Sequence, residues 1–387
     1  MADWCRKFGQ PFVEIDMGGE FSRLARSHFS DPGDDGRPTQ KYARAAMYAG
    51  RVVETWVVPP NGYACAPDGS LIYEGLGFRD YDPKTDLGAF CLGANAKGQF
   101  AVDLGAPSAP TVTQECVYIG GNRNFGHFLF QYLLKLPALL RLAETKSLPI
   151  AVPDGLPVRY LESFDICGFP SGRRIAIPGD RPCRFEKVWL NSAPLRRDAR
   201  GSLGVWPEGV WSMCELAAKK FRMSGVKRTR LFISRGDAKW RRLVNESEIR
   251  KVLEQVNVVP IDLSELSAEQ QISTVANADL IVEVLGAARE VTLFAPPDCS
   301  IVELVVPGMA GALGPYALAS VLGQPFDRIV GTAVTPEHSV AHGLTAPRAE
   351  QRTDLDFTID RERLERVLLE VEKYRKRPTG VNPVGPV

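Results

Sequence analysis

No Cys-x-x-Cys pair occurs in this chain, and none of its eight cysteines (Cys5, Cys65, Cys91, Cys116, Cys167, Cys183, Cys214 and Cys299) has a histidine at ligand spacing. That pattern excludes a zinc finger or ribbon and argues against a disulfide scaffold, so no bound metal is expected. The N-terminus lacks an uninterrupted apolar core, because Asp3, Arg6, Lys7 and Glu14 punctuate it. No signal peptide is therefore expected, and the reading that follows is a protein kept in a reducing cytoplasm. A long hydrophobic run is missing too. The most apolar stretch, Phe125 to Leu142, is interrupted by His127, Gln131, Lys135, Pro137 and Arg141. It is too short and too polar to span a bilayer, which leaves only peripheral contact with a membrane. Net charge is nearly absent, at +1 from 47 basic and 46 acidic residues. The chain as a whole has no attraction for nucleic acid, and a small anionic ligand is expected instead. No Gly-x-Gly-x-x-Gly with an acid some twenty residues on is visible, which disfavours a dinucleotide oxidoreductase.

What is present is an ordered alternation. At 387 residues the chain has length for two ordinary domains. Its first hundred residues read as strands and turns, with Pro59-Pro60-Asn61-Gly62 and Pro67-Asp68-Gly69 as turn signals. From Cys116 strands alternate with helices, including a helix predicted from about Gly126 to Glu144. A second alternating series opens near residue 229 and ends in an amphipathic helix with Leu364, Val367, Leu368 and Val371 on one face. The expected fold class is α/β, with parallel sheets covered by helices. The expected division is an α/β domain over 1–200 with a β-rich lead-in, a linker over 201–226, a second Rossmann-like domain over 227–376 and a flexible tail over 377–387.

Three segments carry chemistry. The first, "LFISRGDAKWRRLVNESEI" from 231 to 249, joins an apolar strand to Arg235, Lys239, Arg241 and Arg242, and then to a helix start at Asn245-Glu246. Open α/β sheets bind ligands beyond the carboxyl ends of their strands, and arginine grips phosphate oxygens in pairs. Twelve basic residues against three acidic ones between Lys219 and Lys251 also suit a solvated loop. The second segment, Gly120 to Leu142, puts a glycine loop before an apolar helix whose polar residues His127 and Gln131 share a face. A histidine in the first helical turn meets the positive end of the helix dipole, which favours a neutral, proton-accepting imidazole. The alternative is a core histidine bonded to backbone. The third, Ala278 to Leu304, holds Gly286-Ala287-Ala288 at a helix start, where backbone approaches a ligand closely, and Arg289 adds a charge. Glu303, in an apolar strand, reads as a ribose ligand or as a partner for an arginine. Ordinary strand–helix packing also accounts for that glycine turn. Asp80-Tyr81-Asp82 has an Asp-x-Asp spacing, but its turn-like surroundings read as a solvated loop.

Together the three segments resemble glycosyltransferase family 61. The matching residues are Asn122, Asn124, Gly126 and His127, then Ser234, Arg235, Arg241, Arg242, Asn245 and Glu246. The last group is Gly286, Ala287, Leu293, Phe294, Pro296, Pro297, Glu303 and Leu304. The resemblance implies a GT-B-like fold, two Rossmann-like domains facing a cleft, and inverting transfer without a bound metal or permanent cofactor. It implies a nucleotide sugar as donor and a glycan or lipid-linked glycan as acceptor. Carried onto this chain, it makes His127 the catalytic base and Asn122, Asn124 and Gln131 acceptor or cleft residues. Arg235, Arg241, Arg242, Asn245, Glu246, Gly286, Ala287, Arg289 and Glu303 fall on the donor side. The chain departs from the family at Gln131, where members often carry an acid, and at Leu285 and Ala288 to Val291, where members carry a histidine and then Gly-Leu-Thr-Asn. These departures keep a second reading open, a non-catalytic or diverged sugar-nucleotide or phosphate-binding protein.

Overall fold

The computed structural model describes residues 1–21, 42–59, 63–72, 87–96, 99–105, 108–121, 124–197, 203–235, 238–312, 314–341, 344 and 353–376. The chain divides into two units. The described part of the first covers Met1–Phe21 and Tyr42–Ser212, and that of the second begins at Met213. The tail 377–387 lies outside the described residues.

The first unit is built on a nine-stranded mixed sheet. Its strands are β1 (Phe12–Asp16), β2 (Met47–Val58), β3 (Tyr63–Cys65), β4 (Leu71–Ile72), β5 (Thr111–Val112), β6 (Cys116–Tyr118), β7 (Ile150–Pro153), β8 (Arg174–Ile177) and β9 (Cys183–Asn191). The order is β8-β7-β6-β9-β2-β3-β4, with β1 on β2 and β5 on β9. Strands β8, β7, β6 and β9 are parallel, and β9 then pairs antiparallel with β2 from Cys183↔Val57 to Asn191↔Ala49. Part of the β-rich lead-in thus belongs to the same sheet. Val52, Val57, Tyr118, Ala151, Phe185, Val188 and Leu190 bury one of its faces in a common core.

The parallel part fixes where a ligand can bind. In chain order its strands read 3-2-1-4, so the direction of winding reverses between β6 and β9. The crevice beyond the carboxyl ends at such a reversal is the ligand position of open α/β sheets. The loop leaving β6 is the one that leads to His127.

The second unit is a five-stranded parallel sheet of β10 (Thr229–Ile233), β11 (Val259–Ile261), β12 (Ala278–Val284), β13 (Ser300–Val305) and β14 (Phe326–Val330), in the order β11-β10-β12-β13-β14. Sequences such as "LIVEV" and "SIVELV" are nearly continuous apolar runs, as strands buried on both faces require. Pro260 sits in the edge strand β11, which among the described residues pairs only with β10 and where a missing N–H is tolerated. Helices α1 (Glu246–Gln255) and α2 (Arg361–Lys376) cover one face through Ile249, Val252, Leu253, Leu364, Val367, Leu368 and Val371. The stripe on α2 is the one its helical spacing predicts. The order 2-1-3-4-5 places this sheet's reversal between β10 and β12.

Candidate active site

In the second unit the two sequence motifs expected to hold phosphate are brought together. Arg235 leaves the carboxyl end of β10, and Gly286 follows β12, the neighbouring strand, with Ile233 paired to Glu283. The Arg235 guanidinium lies on the glycine: a Cβ at residue 286 would fall 2.5 Å from Cζ and 2.8 Å from Cδ of Arg235. Gly286 has an extended backbone (φ −171°), so it is the arginine that excludes a side chain there. Arg235 Nη2 donates to the Trp240 carbonyl at 3.3 Å. Before it, Ser234 donates its hydroxyl to the Glu246 carboxylate at 2.8 Å, and Arg250 binds the same carboxylate at 2.6 Å. Glu246 therefore braces the strand end that carries Arg235.

The other cluster residues do different work. Arg242 is buried and forms a forked ion pair with the fully buried Asp356, with Nη2 at 2.6 Å and Nε at 3.1 Å. Asn245 was expected to cap α1, yet its side chain makes no cap bond. Its amide donates to the Ile359 carbonyl and its oxygen accepts from the Ile359 N–H. Leu243 bridges Phe357, so residues 241–245 are zipped onto 354–359. Arg241 takes a left-handed backbone (φ 57°), a conformation that costs a residue with a Cβ roughly 1–2 kcal/mol. The zipper is what holds it there. Arg242→Ala should lower the unfolding free energy of this unit by about 3–5 kcal/mol, because Asp356 would be left buried and uncompensated. Denaturant unfolding reads that loss, and an unchanged midpoint would show that the pair contributes nothing.

Glu303 pairs with Arg328, an arginine outside the basic cluster, at 2.6 Å with both side chains fully buried. Arg328 also donates to the carbonyls of Ala310 and Ala312, which pins the loop after β13. The backbone of residues 287–289 continues into a short helical turn, Ala287–Phe294. The side chains of Ala287 and Arg289 lie outside those described.

In the first unit, Asn124 is an N-cap: its Oδ1 accepts the His127 N–H at 3.2 Å, which satisfies an otherwise orphan donor. His127 is half-buried at the end of the first helical turn. Its neighbours Phe125 and Phe128 pack on Tyr160, with ring centroids at 5.5 and 4.2 Å. The single helix expected from Gly126 to Glu144 is instead a composite of an α-turn, a π-turn over Phe128–Tyr132, a 3-10 turn over Leu133–Lys135 and an α-helix over Leu136–Arg141. A π-turn inserts one residue into the helical repeat and often marks a functional site. Gln131 lies buried within it. Asn122, Asp80, Tyr81 and Asp82 lie outside the described residues.

Two polar residues near this loop escaped the sequence reading. Lys135 is 2 % exposed, and its Nζ donates to the Ile119 carbonyl at 2.9 Å, at the end of β6. Asn191, at the carboxyl end of β9, has both side-chain amide atoms buried without a hydrogen-bond partner among the described residues. The signal for Lys135 was its place four residues after Gln131 in an apolar helix. For Asn191 it was a polar end to "FEKVWLN".

Burial lowers the Lys135 pKa from the ordinary 10.5 to about 7. The folded state then binds fewer protons than the unfolded chain between those values. The burial cost is full below pH 7 and is relieved as pH rises toward 10.5. Raising pH from 6 to 9 should stabilise the wild type relative to Lys135→Met by about 2–3 kcal/mol, from the usual worth of a pKa unit. Unfolding midpoints of the two proteins at both pH values measure this, and a constant gap would contradict it.

No helix among the described residues is long and apolar enough to cross a membrane. No curated protein matches the chain. The family model described as Glycosyltransferase 61 matches residues 125–302, a span that begins two residues before His127 and takes in Arg235 and Gly286. That match, over just under half of the chain, supports a glycosyltransferase assignment through a domain of the Glycosyltransferase 61 family.

Proposed function

We propose that the protein is an inverting, metal-independent glycosyltransferase of GT-B type. It would move a sugar from a nucleotide-sugar donor to a hydroxyl of a glycan or lipid-linked glycan. The observation that carries this reading is the Arg235 guanidinium lying on Gly286 at the winding reversal of the second sheet. A fixed cation packed on a glycine, beyond the carboxyl ends of β10 and β12, is what a departing diphosphate needs. Residues 227–376 would hold the donor and residues 1–200 the acceptor, with 201–226 as the connection.

In the reaction, the acceptor oxygen attacks the anomeric carbon while His127 takes its proton, and the bond from that carbon to the diphosphate oxygen breaks. The charge that collects on the leaving nucleoside diphosphate is met by Arg235, a role a metal would otherwise fill. A single displacement inverts the anomeric centre. Arg242, Asn245 and Glu246 act indirectly, by holding the loop and strand end around Arg235. Glu303 acts through Arg328, since its carboxylate is fully buried in that pair. The scattered cysteines support placement in the cytoplasm.

Incubation with UDP-, GDP-, CMP- and dTDP-sugars, followed by detection of released nucleotide, tests the activity. Release is expected with at least one donor, and EDTA is expected to leave it unchanged. A loss in EDTA that Mg²⁺ or Mn²⁺ restores would contradict the metal-independent mechanism. The second reading, a binding protein that has lost transfer, is favoured by one residue: buried Gln131 cannot serve as a base. Donor binding without release from any sugar nucleotide would select it.

A further inference from the structure

Lys135 closes a ring. Strand β6 is followed at once by Ile119, whose carbonyl accepts from Lys135 Nζ. The chain then turns through Gly120, which has a left-handed φ of 94° and packs so tightly that a Cβ there would lie 2.5 Å from Cδ1 of Tyr132. Asn124 starts the helical segment and caps His127, and the π-turn follows. The 3-10 turn then delivers Lys135 back to Ile119. Tyr132 and Lys135, three residues apart, thus hold the two ends of one short stretch, residues 119–120. The lysine also lies near the Tyr132 ring, with Nζ 5.3 Å from its centroid.

Such a lysine is costly to keep. A buried ammonium disfavours its own charge, and an apolar side chain of similar volume would spare that desolvation. A stability role alone does not account for its presence. The hydrogen bond ties the end of a rigid strand to the helix that carries His127, across a loop with no other regular structure among its described residues.

We propose that Lys135 is a positioning residue for His127: by binding the Ile119 carbonyl it ties the end of β6 to the helical segment that carries His127 and so sets where the imidazole stands. The proposal rests on the reading of His127 as the base, and it goes beyond that reading by assigning a residue that never touches substrate. A displacement of about an ångström at a reacting group can cost up to ~100-fold in rate.

Lys135→Met tests it in the full-length protein, with nucleotide release from the UDP-, GDP-, CMP- and dTDP-sugar panel and donor binding by calorimetry. Expected is an unchanged donor Kd with kcat lower by roughly 10- to 100-fold. Lys135→Gln, which keeps a donor for the carbonyl, should fall between Met and wild type and serves if the Met protein fails to fold. Added to His127→Ala, Lys135→Met should cost nothing more, since its effect passes through the imidazole. An equal fold-loss on both backgrounds, or a kcat within twofold of wild type, would overturn the proposal.

A readout without turnover separates this failure from failure of the glycosyltransferase reading. The chain has four histidines, so their ring signals are resolvable by NMR. The His127 signal should move in Lys135→Met while the other three stay. An unmoved His127 signal overturns the positioning role whether or not any sugar nucleotide is consumed. A moved signal with no release from any donor would uphold the positioning and sink only the assigned activity.

Discussion

Gly286→Ala is expected to weaken nucleoside diphosphate binding by roughly 10- to 100-fold while leaving the fold in place. The added Cβ would overlap the Arg235 guanidinium, the far end of a flexible side chain, so the arginine gives way rather than the strand. The backbone at 286 is extended and accepts alanine without strain. What is lost is the aim of the guanidinium, and hydrogen bonds from a charged group are worth about 1.5–3 kcal/mol each. At 1.4 kcal/mol per factor of ten, one such bond accounts for the predicted range. Arg235→Ala should produce a similar loss. The double variant should be no weaker than Arg235→Ala alone, because the alanine at 286 acts only by moving Arg235. Calorimetry with UDP, GDP, CMP and dTDP measures all three proteins. Additive losses would show that Gly286 serves the ligand independently of Arg235.

His127→Ala is expected to lower turnover by roughly 100-fold or more while leaving donor affinity unchanged, since in the proposed mechanism His127 acts on the acceptor hydroxyl in the transition state. A fall in kcat and kcat/KM by the same factor would mark an interaction made only in the transition state. Asn124→Ala should be milder. It removes the cap on the His127 N–H, worth about 0.5–2 kcal/mol of helix stability, and leaves the imidazole in place. Equal turnover in His127→Ala and wild type would remove His127 from the mechanism and leave Asn124 a purely structural cap.

The two expected losses fall on different steps because the residues belong to different sheets. His127 follows β6, and Arg235 and Gly286 follow β10 and β12, strands that border the winding reversal of each sheet. The strands of the two alternating series, from Cys116 and from Thr229 onward, were legible from apolar runs and turn residues. Their neighbours were not. That β10 lies beside β12 is a fact of sheet order, and the contact between Arg235 and Gly286 exists only because of it.

Long-range pairing hid the work of other residues for the same reason. Arg242 and Asp356 are 114 positions apart, and nothing local to "KWRRLVNE" shows that its second arginine is consumed by a buried carboxylate. Glu303 was readable as either a ligand or an arginine's partner. The choice depends on β14, whose Arg328 stands in register with it. The break in the helix after His127 had no signal at all, since Phe128 to Leu134 contains neither glycine nor proline and reads as helix throughout. Lys135 was visible only as a charge spoiling an apolar run. The structure gives it a carbonyl to hold, and that contact requires the helix to fold back on the strand that precedes it.

The most direct test of the central claim, a diphosphate grip made by Arg235 on Gly286, is a melting-temperature series with UDP-, GDP-, CMP- and dTDP-sugars on wild type and Gly286→Ala. A ligand that binds only the folded protein must raise its apparent stability. The predicted result is that at least one donor raises the wild-type melting temperature in proportion to the logarithm of its concentration, and that the same donor shifts Gly286→Ala far less. An equal shift in both proteins, or no shift with any donor, would contradict it.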